Sequence, residues 1–577
     1  MSGQAEHGTS TSSSLSYLES FDWDRYLKYD ELTEFMKEIA SNYSDLCEMY
    51  SIGKTWQGRD IWCMEVTNKK TGKASEKPAL YIDGNTHAGE VTGSMIALYT
   101  IWYLVSNYSR DPKVSTILDT RTFYVVPRLS ADGAELYLTS PYIPRSSLRP
   151  WPYEEEQDGL YPHDVDGDGI IAQMRIEDEN GEWRVSEKDP RVMVRRKPDE
   201  VGGKYYRILG EGIIKNFNGV EIKQAPPKWG LDINRNYGAD WAQQHVQPGS
   251  GPYPFSEPES RAVAEFFQAH KNIVLAQSYH TFTGAILRPP ASKPDKEISP
   301  KDLKAMKEIG EVGTEITGYP CLGVYEDFQL SKDITGKRPI WGSSLDWMYQ
   351  HAGVIAYSTE VWDMPNRAIG RKDTYKTLMD WSEDEQILMQ KWNDENLGGE
   401  GFINWRPFNH PQLGLVEIGG WKHKFVIQNP PPKFLKQECH KNTLFSIACA
   451  LTTPLIRILK TEAREVTQGV FEIRAVVRNM GYLPSNVTDQ AIKNKTASPV
   501  KAKVVLPKGV EIIGGDVEIE LGHLEGRLTL GRAFAGARQM EHLCRWVVKT
   551  QGESRTSVTV RAGNERGGYD EKAVTLG

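Results

Sequence analysis

The sequence predicts an α/β domain, built on a mixed, mostly parallel central sheet flanked by helices, and a C-terminal all-β sandwich domain. Three observations lead to this prediction. Short apolar runs typical of buried strands alternate with helical patterns between about residues 30 and 400. With 577 residues, the chain is too long for a single compact core. Beyond the prolines at 430–432, apolar residues recur with the period of two that is typical of half-buried strands.

We accordingly predict four regions along the chain. Residues 1–20 are polar and rich in Ser and Thr, which indicates a disordered N-terminal tail. Residues 21–405 form the main α/β domain, interrupted at about 136–230 by an insertion with little periodicity. Residues 406–435 form a linker, and residues 436–577 form the β-sandwich.

Composition and charge exclude two classes of partner. The net charge of −8 and the lack of a long basic tract argue against nucleic acid. The longest apolar stretch, Met95 to Val105, is about half the length that spans a bilayer, and the N-terminus lacks the features of a signal peptide. The six cysteines are scattered without a Cys-x-x-Cys pair, which is typical of reduced thiols. We therefore expect a cytoplasmic protein with no membrane partner.

The first elements in chain order are structural. Residues Tyr29 to Tyr43 carry an apolar stripe in helical spacing, which predicts a packing helix, and Ile61 to Val66 predicts a strand.

The next strand and helix carry the first candidate ligands. Ala79 to Gly84 is a short apolar run that predicts a buried strand, and the helix beginning at Val91 follows directly. The turn between them holds His87 and Glu90, three residues apart, a spacing that allows both side chains to bind one divalent metal. A solvated loop with an incidental histidine is the alternative.

Later strands deliver further polar side chains. A strand at 122–126 follows, and a helix at 257–271 begins with a capping box. Two further strands, at 272–278 and 353–358, lead directly into His280 and Glu360. Because ligands bind at the carboxyl ends of strands in such sheets, we expect both residues to lie near the His87 turn.

The insertion contains a possible calcium loop. Asp164, Asp166 and Asp168 place carboxylates at alternate positions, as calcium-binding loops do, but Arg175 stands where an EF-hand requires Glu. A structural Asp-Gly turn is therefore an equal alternative to a Ca²⁺ site.

Several motifs together resemble one known family. The motifs, in chain order, are His87-x-x-Glu90, Asp232-x-Asn234-Arg235-Asn236, Ser278-x-His280 and Thr359-Glu360. Over about residues 28–400 they resemble the zinc metallocarboxypeptidases of the carboxypeptidase A type, here with a C-terminal β-sandwich extension. The resemblance implies one Zn²⁺ per chain, held by His87, Glu90 and His280, with Glu360 as the general base.

The chemistry of these residue types agrees with that assignment. Two histidines and one carboxylate leave an open coordination position, as in catalytic zinc sites. Glu360 is then available to take the proton of the attacking water. Structural roles, as a core histidine for His280 and a salt-bridged carboxylate for Glu360, are the alternatives.

Arginine and apolar residues define the expected substrate. Asn234 and Arg235 match the family's clamp for a free α-carboxylate, which arginine binds through two hydrogen bonds. Arg145 or Arg149 is expected to hold the developing oxyanion, with Arg145 preferred; two surface arginines are the alternative. Leu345 matches the floor of the specificity pocket and favours an apolar or aromatic C-terminal side chain, unless it is simply a core residue.

Two positions depart from the family. Gly89 stands before the ligand Glu90, where digestive members carry arginine. The family's mobile tyrosine has no obvious match, and Arg338 lies at about its position.

We therefore predict a metallocarboxypeptidase that acts on peptides with a free C-terminal carboxylate, with a homodimer as a further possibility. The alternatives are a zinc amidase acting on cell-wall peptide stems or N-acyl amino acids, and a non-catalytic binding protein.

Overall fold

The computed structural model describes residues 20–328, 338–370, 381–529, 539–551 and 556–577. The tail predicted for residues 1–20 lies outside these ranges, except for residue 20. Numbered in chain order, the strands are β1 (Cys47–Lys54), β2 (Asp60–Val66), β3 (Ala79–Gly84), β4 (Thr122–Val126), β5 (Gly159–Pro162), β6 (Gln173–Glu177), β7 (Trp183–Val185), β8 (Met193–Arg195), β9 (Tyr206–Gly210), β10 (Gly212–Lys215), β11 (Ile273–Thr281), β12 (Ala285–Arg288), β13 (Cys321–Gly323), β14 (Ile355–Val361), β15 (Phe402–His410), β16 (Gly414–Trp421), β17 (Ile456–Thr467), β18 (Val470–Asn479), β19 (Val500–Val505), β20 (Val510–Gly514), β21 (Glu518–Gly522), β22 (Glu541–Thr550), β23 (Thr556–Asn564) and β24 (Gly568–Leu576).

The α-helices are numbered in the same way. They are α1 (Tyr29–Asn42), α2 (Val91–Asn107), α3 (Pro112–Thr120), α4 (Ala131–Thr139), α5 (Pro258–Ala269), α6 (Pro300–Thr317), α7 (Ser344–Trp347), α8 (Met364–Ile369), α9 (Glu383–Leu397), α10 (Pro432–Thr452) and α11 (Asp489–Lys493).

The main domain is built on an eight-stranded mixed sheet. Its strand order is β1-β2-β4-β3-β11-β14-β12-β13. The four central strands, β4, β3, β11 and β14, run parallel to one another, whereas β1, β2 and β12 add antiparallel pairings. The predicted α/β class with a mixed, mostly parallel sheet is confirmed.

Helices cover both faces of this sheet. Alternate residues of the central strands enter two separate cores: Leu80 and Ile82 of β3 lie in one, and Tyr81 lies in the other. Helices α1, α2, α3, α6 and α10 contribute to the first core, and α5 contributes to the second. Because both faces of the central strands are covered, these strands are apolar along their whole length.

The insertion and the predicted linker form one structure. Strands β6 to β9 of the insertion join β15 and β16 in a six-stranded sheet of order β15-β16-β6-β9-β7-β8. Residues 406–435, predicted as a linker, thus contain strand structure and the first residues of α10. The prolines before α10 do not mark a flexible connection, because Pro432 is the first helical residue, where its missing N–H costs no hydrogen bond.

Helix α10 belongs with the main domain. Its Leu435, Cys439 and Phe445 are buried in the first core of the central sheet. The sandwich was expected to begin at residue 436, but the first strand of the all-β region begins at Ile456.

The described part of the C-terminal region consists mainly of β-strands, as predicted, with one short α-helix, α11. The strands form two four-stranded sheets, β17-β18-β22-β20 and β21-β19-β23-β24. Inward-pointing side chains such as Ile473, Trp546 and Val560 form a common core between them. Strand β18 shows the predicted alternation, because every second residue from Phe471 to Asn479 is buried.

The sandwich region packs on α6 and on a π-helical turn, Met348–Ala352, that follows α7. The Asp302 carboxylate on α6 accepts hydrogen bonds from the backbone N–H groups of Asp489 (2.8 Å) and Gln490 (3.2 Å). Arg566 donates to the carbonyls of Gly353 (2.8 Å) and Ala352 (2.6 Å). In the described part of the chain, no helix is both long enough and apolar enough to cross a lipid bilayer.

Candidate active site

A tight turn at the carboxyl end of β3 positions His87 and Glu90. The Asn85 side chain fixes it by donating to the carbonyls of His87 (2.7 Å) and Ala88 (3.0 Å). A Cβ on Gly84 would lie 2.4 Å from the backbone of α2, so only glycine permits this close approach of strand and helix.

Parallel pairing brings His280 to the same place. In the register of β11 against β3, Tyr279 lies opposite Gly84, so that His280 lies beside the turn that carries His87. The Glu90 Oε1 atom is 2.8 Å from His87 Nδ1, and its Oε2 atom is 2.8 Å from His280 Nδ1. The two Nδ1 atoms are 3.1 Å apart. The structure therefore brings the three sequence-predicted ligands together.

On each imidazole, the ring nitrogen that faces away from Glu90 also contacts a polar side chain. His87 Nε2 is 3.1 Å from Asp232 Oδ1, and His280 Nε2 is 3.2 Å from Ser278 Oγ. These contacts direct both Nδ1 atoms toward Glu90. Two imidazole nitrogens and a carboxylate, with ligand atoms within 4.8 Å of one another, form a donor set that suits Zn²⁺.

The charges around this donor set are strongly coupled. Burial alone would raise the pKa of Glu90, but the neighbouring His87 and His280 lower this pKa to about 2. Burial likewise opposes ionisation of Asp232, yet Arg145, Arg235 and His87 hold its pKa well below the usual range. Both carboxylates are therefore ionised at neutral pH.

Glu360 lies opposite His280 on the neighbouring strand β14. Burial and the nearby negative charge of Glu90 raise the pKa of Glu360 well above its usual value, while Arg145 and Arg235 act in the opposite direction. A carboxylate with a raised pKa, lining the same cavity as His87 and Glu90, is suited to accept a proton.

The two candidate arginines occupy different environments. Arg145 lines the cavity, binds Asp232 Oδ2 through Nε (2.9 Å) and Nη2 (2.8 Å), and approaches Glu90 Oε1 to 4.0 Å. Arg149 instead binds the fully buried carboxylate of Glu257, with Nε 3.2 Å from Oε2. Because Arg149 is absent from the cavity lining, the structure does not bring it together with the other candidate residues.

Asn234 and Arg235 lie on a short 3₁₀ turn, Ile233–Arg235, that Asp232 caps by accepting the backbone N–H of Asn234 (2.9 Å). The Asn234 Oδ1 atom accepts from the backbone N–H and the hydroxyl of Ser344, both at 2.9 Å. This orientation leaves the Nδ2 amide of Asn234, which has no acceptor among the described residues, for a bound ligand. Arg235 lines the same cavity.

The cavity has a volume of about 200 Å³. Beyond the polar residues, its described lining is largely apolar and includes Leu287, Ala291, Val324, Phe328, Ile340 and Leu345. Leu345, predicted as the floor of a specificity pocket, is among these lining residues. Arg338 is exposed and is not among the lining residues, and residues 329–337 beside it lie outside the described ranges.

Packing explains why glycine stands at position 89. A Cβ there would lie 2.7 Å from the Gln428 side chain and 2.9 Å from the Tyr137 ring. The segment that follows β16 therefore fills the space that a side chain at this position would need.

Three supporting residues were not assigned roles from the sequence. Asp232 and Ser278 orient the histidines, and Ser344 orients Asn234. Asp232 and Ser278 stand within the motifs themselves, so their spacing offered a signal. Ser344 lies 110 residues from Asn234, and no local pattern predicts that contact.

The possible calcium loop in the insertion is not supported. Asp164 accepts the backbone N–H groups of Gly167 and Gly169, each at 2.8 Å, and Arg406 donates to Asp166 (2.5 Å) and Asp168 (2.7 Å). An arginine thus neutralises two of the three carboxylates, which favours the structural Asp-Gly turn.

Comparisons with known proteins found one family model over the main domain and a second over the C-terminal region. The family model described as zinc carboxypeptidase matches residues 32–377, and a domain of unknown function (DUF8731) matches residues 455–575. Carboxypeptidase M of Mus musculus is 32% identical over 111 residues, which are 19% of this chain and 25% of that protein. Carboxypeptidase A4 of Mus musculus is 20% identical over 350 residues, 59% of this chain and 64% of that protein.

One solved structure is similar to part of the chain. The crystal structure of thrombin activatable fibrinolysis inhibitor (TAFI) aligns with 76% of this chain and 78% of its own at 15% identity, with a TM-score of 0.43. The chain spans less than two thirds of the length of carboxypeptidases M and A4. The family model nevertheless covers more than half of the chain, and the chain therefore belongs to the zinc carboxypeptidase family.

Proposed function

We propose that this chain is a zinc-dependent metallocarboxypeptidase that hydrolyses the C-terminal peptide bond of peptides. One observation carries the proposal: His87, Glu90, Glu360, Arg145 and the Asn234–Arg235 pair all line a single cavity with an otherwise largely apolar wall, and the third donor, His280, contacts Glu90 directly behind it. A free carboxylate, a scissile carbonyl and an apolar side chain each find a complementary group there.

His87, Glu90 and His280 would hold the zinc ion. When bound, zinc would polarise the scissile carbonyl and lower the pKa of the attacking water. Asp232 and Ser278 keep the imidazoles oriented for this role, and such outer contacts typically change metal affinity about 10–100-fold when removed.

The proton and the oxyanion have separate partners. Glu360 accepts the proton of the attacking water and then delivers it to the departing amine. Arg145 lies within 4.0 Å of Glu90, so its guanidinium is close enough to the donor set to stabilise the negative charge that develops on the carbonyl oxygen.

Substrate selection follows from the rest of the cavity. Arg235 and the Nδ2 group of Asn234 bind the free α-carboxylate, which makes the enzyme an exopeptidase. Leu345 and the neighbouring apolar side chains favour an apolar or aromatic C-terminal residue. Because each methylene contributes only about 1–3 kcal/mol to discrimination, this is a preference and not strict selection.

The test combines metal content with hydrolysis of a blocked dipeptide that ends in free Phe. We expect about one zinc per chain, chelator-sensitive release of Phe, and little release from the same dipeptide with an amidated C-terminus. Glu360→Gln should keep its zinc and lose about 10²–10⁴ in kcat, as expected for removal of a positioned base.

Arg235→Ala supplies the control for the carboxylate clamp. It should raise KM for the free acid and erase the discrimination against the amide. A protein without zinc, or with zinc but no activity on the free acid, would contradict the proposed function.

A further inference from the structure

A second, larger cavity lies next to the candidate active site. Its volume is about 720 Å³, and it is lined by the end of α4, by residues 169–171 of the insertion and by residues 422–426 after β16. Ligand pockets usually measure about 300–1,000 Å³. The active-site cavity, at about 200 Å³, therefore has room for little more than one amino-acid residue, whereas the larger cavity has room for several.

Only a thin wall separates the two cavities. Phe282 lines the active-site cavity and His423 lines the larger one, and their rings meet edge to face with centroids 6.2 Å apart. Asn429 donates hydrogen bonds both to Tyr137 (3.0 Å), in the wall of the larger cavity, and to the carbonyl of Gly89 (2.8 Å). Because Gly89 stands between two of the metal donors, the larger cavity adjoins the place where the scissile bond would lie.

The larger cavity is positively charged. Among the described residues, its lining contains one carboxylate, Glu400, and three lysines, Lys422, Lys424 and Lys433. His423 also lines it, but burial and the neighbouring Lys424 lower the pKa of His423 and favour its neutral form. The Lys424 ammonium group donates to the carbonyls of Tyr137 (2.6 Å) and Ser140 (2.5 Å), both neutral groups. Within the described ranges, neither Lys422 nor Lys433 forms an ion pair with a carboxylate, so their charges remain available to a ligand.

We infer that the larger cavity receives the residues that precede the scissile bond, and that its lysines favour acidic side chains at these positions. The inference rests on the proposed function, because it assumes that the C-terminal residue fills the active-site cavity. A longer peptide then extends from the donor set toward the shared wall, where Phe282 and His423 meet. Such a substrate is a peptide with an acidic segment before an apolar C-terminal residue.

The experiment compares blocked peptides that all end in Ala-Phe and carry Glu-Glu, Gln-Gln or Lys-Lys before it. We expect kcat/KM to fall in that order, with roughly a two- to fivefold advantage for each Glu over Gln, as for a partly exposed ion pair. Salt should reduce this advantage, because screening acts over about 10 Å at 0.1 M.

Two double variants test whether the lysines of the larger cavity cause the preference for Glu. The double variant Lys422→Gln/Lys433→Gln should lower the Glu-to-Gln ratio of kcat/KM, while Lys424 is left intact because it holds the end of α4. The matched control Lys493→Gln/Lys508→Gln removes two exposed lysines beyond α10 and should retain the ratio.

Equal kcat/KM values for the Glu and Gln peptides at low salt would overturn the inference, as would a ratio unaffected by the double variant. Hippuryl-Phe, which has no residues for the larger cavity, distinguishes failure of this inference from failure of the proposed function. If hippuryl-Phe is cleaved while the Glu-to-Gln ratio of kcat/KM is one, only this inference is wrong. If no peptide is cleaved, fluorescence anisotropy of labelled peptides decides, and equal affinities for the Glu and Gln peptides again overturn the inference.

Discussion

The orientation of the metal donors is decided by single hydrogen bonds on the far side of each imidazole. Asp232 contacts His87 at Nε2, and Ser278 contacts His280 at Nε2, which leaves both Nδ1 atoms to point at Glu90. Asp232 also binds Arg145, so one carboxylate links a metal donor to the group that would hold the oxyanion. The position of the guanidinium thus depends on the same residue as the position of the imidazole.

The two candidate arginines should differ in what their loss affects. Arg145→Gln should lower kcat by roughly 10²–10³, the usual effect of removing an oxyanion donor. Its loss of thermal stability should be the smaller one, because Arg145 is partly exposed and the Asp232 carboxylate keeps its contacts with His87 and the backbone N–H of Asn234. Arg149→Gln should lower thermal stability more, because it leaves the fully buried Glu257 carboxylate without its charged partner. Steady-state kinetics and thermal unfolding of both variants make the comparison, and a larger kcat loss in Arg149→Gln would reverse the assignment.

Sequence reasoning predicted three donors that the fold brings together, but it gave only a slight preference for Arg145 over Arg149, and the reason is physical. The donors occur in motifs at strand ends, so strand order alone brings them together. Arg145 and Arg149 share one loop, and their partners lie 87 and 108 residues further along the chain. Only the folded arrangement decides which guanidinium reaches Asp232.

Among the elements, α5 contains a buried carboxylic acid in its first turn. Glu259 is 1% exposed; its Oε1 atom accepts the backbone N–H of Trp56 (3.1 Å), and its Oε2 atom has no partner among the described residues. Burial raises the pKa of Glu259 from 4.5 to about 7, although the hydrogen bonds to its carboxylate oppose this change. The folded protein therefore favours the protonated form.

This raised pKa predicts a pH dependence of stability. The pKa of Glu259 is higher in the folded state than in the unfolded state, so protonation of Glu259 favours folding. This contribution to the free energy of unfolding is complete below about pH 4.5 and is lost progressively as the pH rises to about 7. Glu259→Gln cannot ionise, so its stability relative to the wild type should rise by at most about 1.4 kcal/mol per pH unit across this window. Thermal unfolding from pH 4.5 to 8 measures the difference.

The exposed Glu265 on the same helix provides the control. Glu265→Gln should follow the wild-type pH dependence. If Glu259→Gln also follows it, the buried acid does not titrate in this range.

The sequence predicted long, periodic elements more accurately than their connections. The central strands were recognisable as apolar runs, because they are buried on both faces. The strands of the insertion are only three to five residues long, and β6 owes its place in the six-stranded sheet partly to β16, more than 200 residues away. Local patterns contain no information about such a partner, and the prolines before α10 resembled a linker although they begin a helix.

At the scale of the whole molecule, the sandwich region supports the segment that contains Leu345, a residue of the active-site cavity wall. Arg566 is 2% exposed and donates to the carbonyls of Ala352 and Gly353, at the end of the turn that follows Leu345 and α7. Thr488 donates to the same Gly353 carbonyl (2.7 Å). The accessory region is thus tied to the main domain through buried hydrogen bonds.

Arg566→Met should lower the stability of the whole chain. The substitution keeps most of the bulk of the side chain but removes one donor from each of two backbone carbonyls. Each carbonyl retains a threonine donor, Thr488 on Gly353 and Thr496 on Ala352, so we expect a cost of about 1 kcal/mol for each hydrogen bond lost. Zinc content should not change, since Arg566 does not contact the metal donors. The exposed Arg545 supplies the control, and a melting temperature for Arg566→Met equal to that of Arg545→Met would contradict the prediction.

The six-stranded sheet also has a consequence for how the chain is made. Gln173 of β6 pairs with Gly419 of β16, so this edge of the insertion has no partner until the later strand has been synthesised. At a translation rate of roughly 5–20 residues per second, that interval lasts about 10–50 s. An unpaired strand edge is a template for association with other chains. The nascent insertion is therefore a part of this protein that we expect to need a chaperone while it is still on the ribosome.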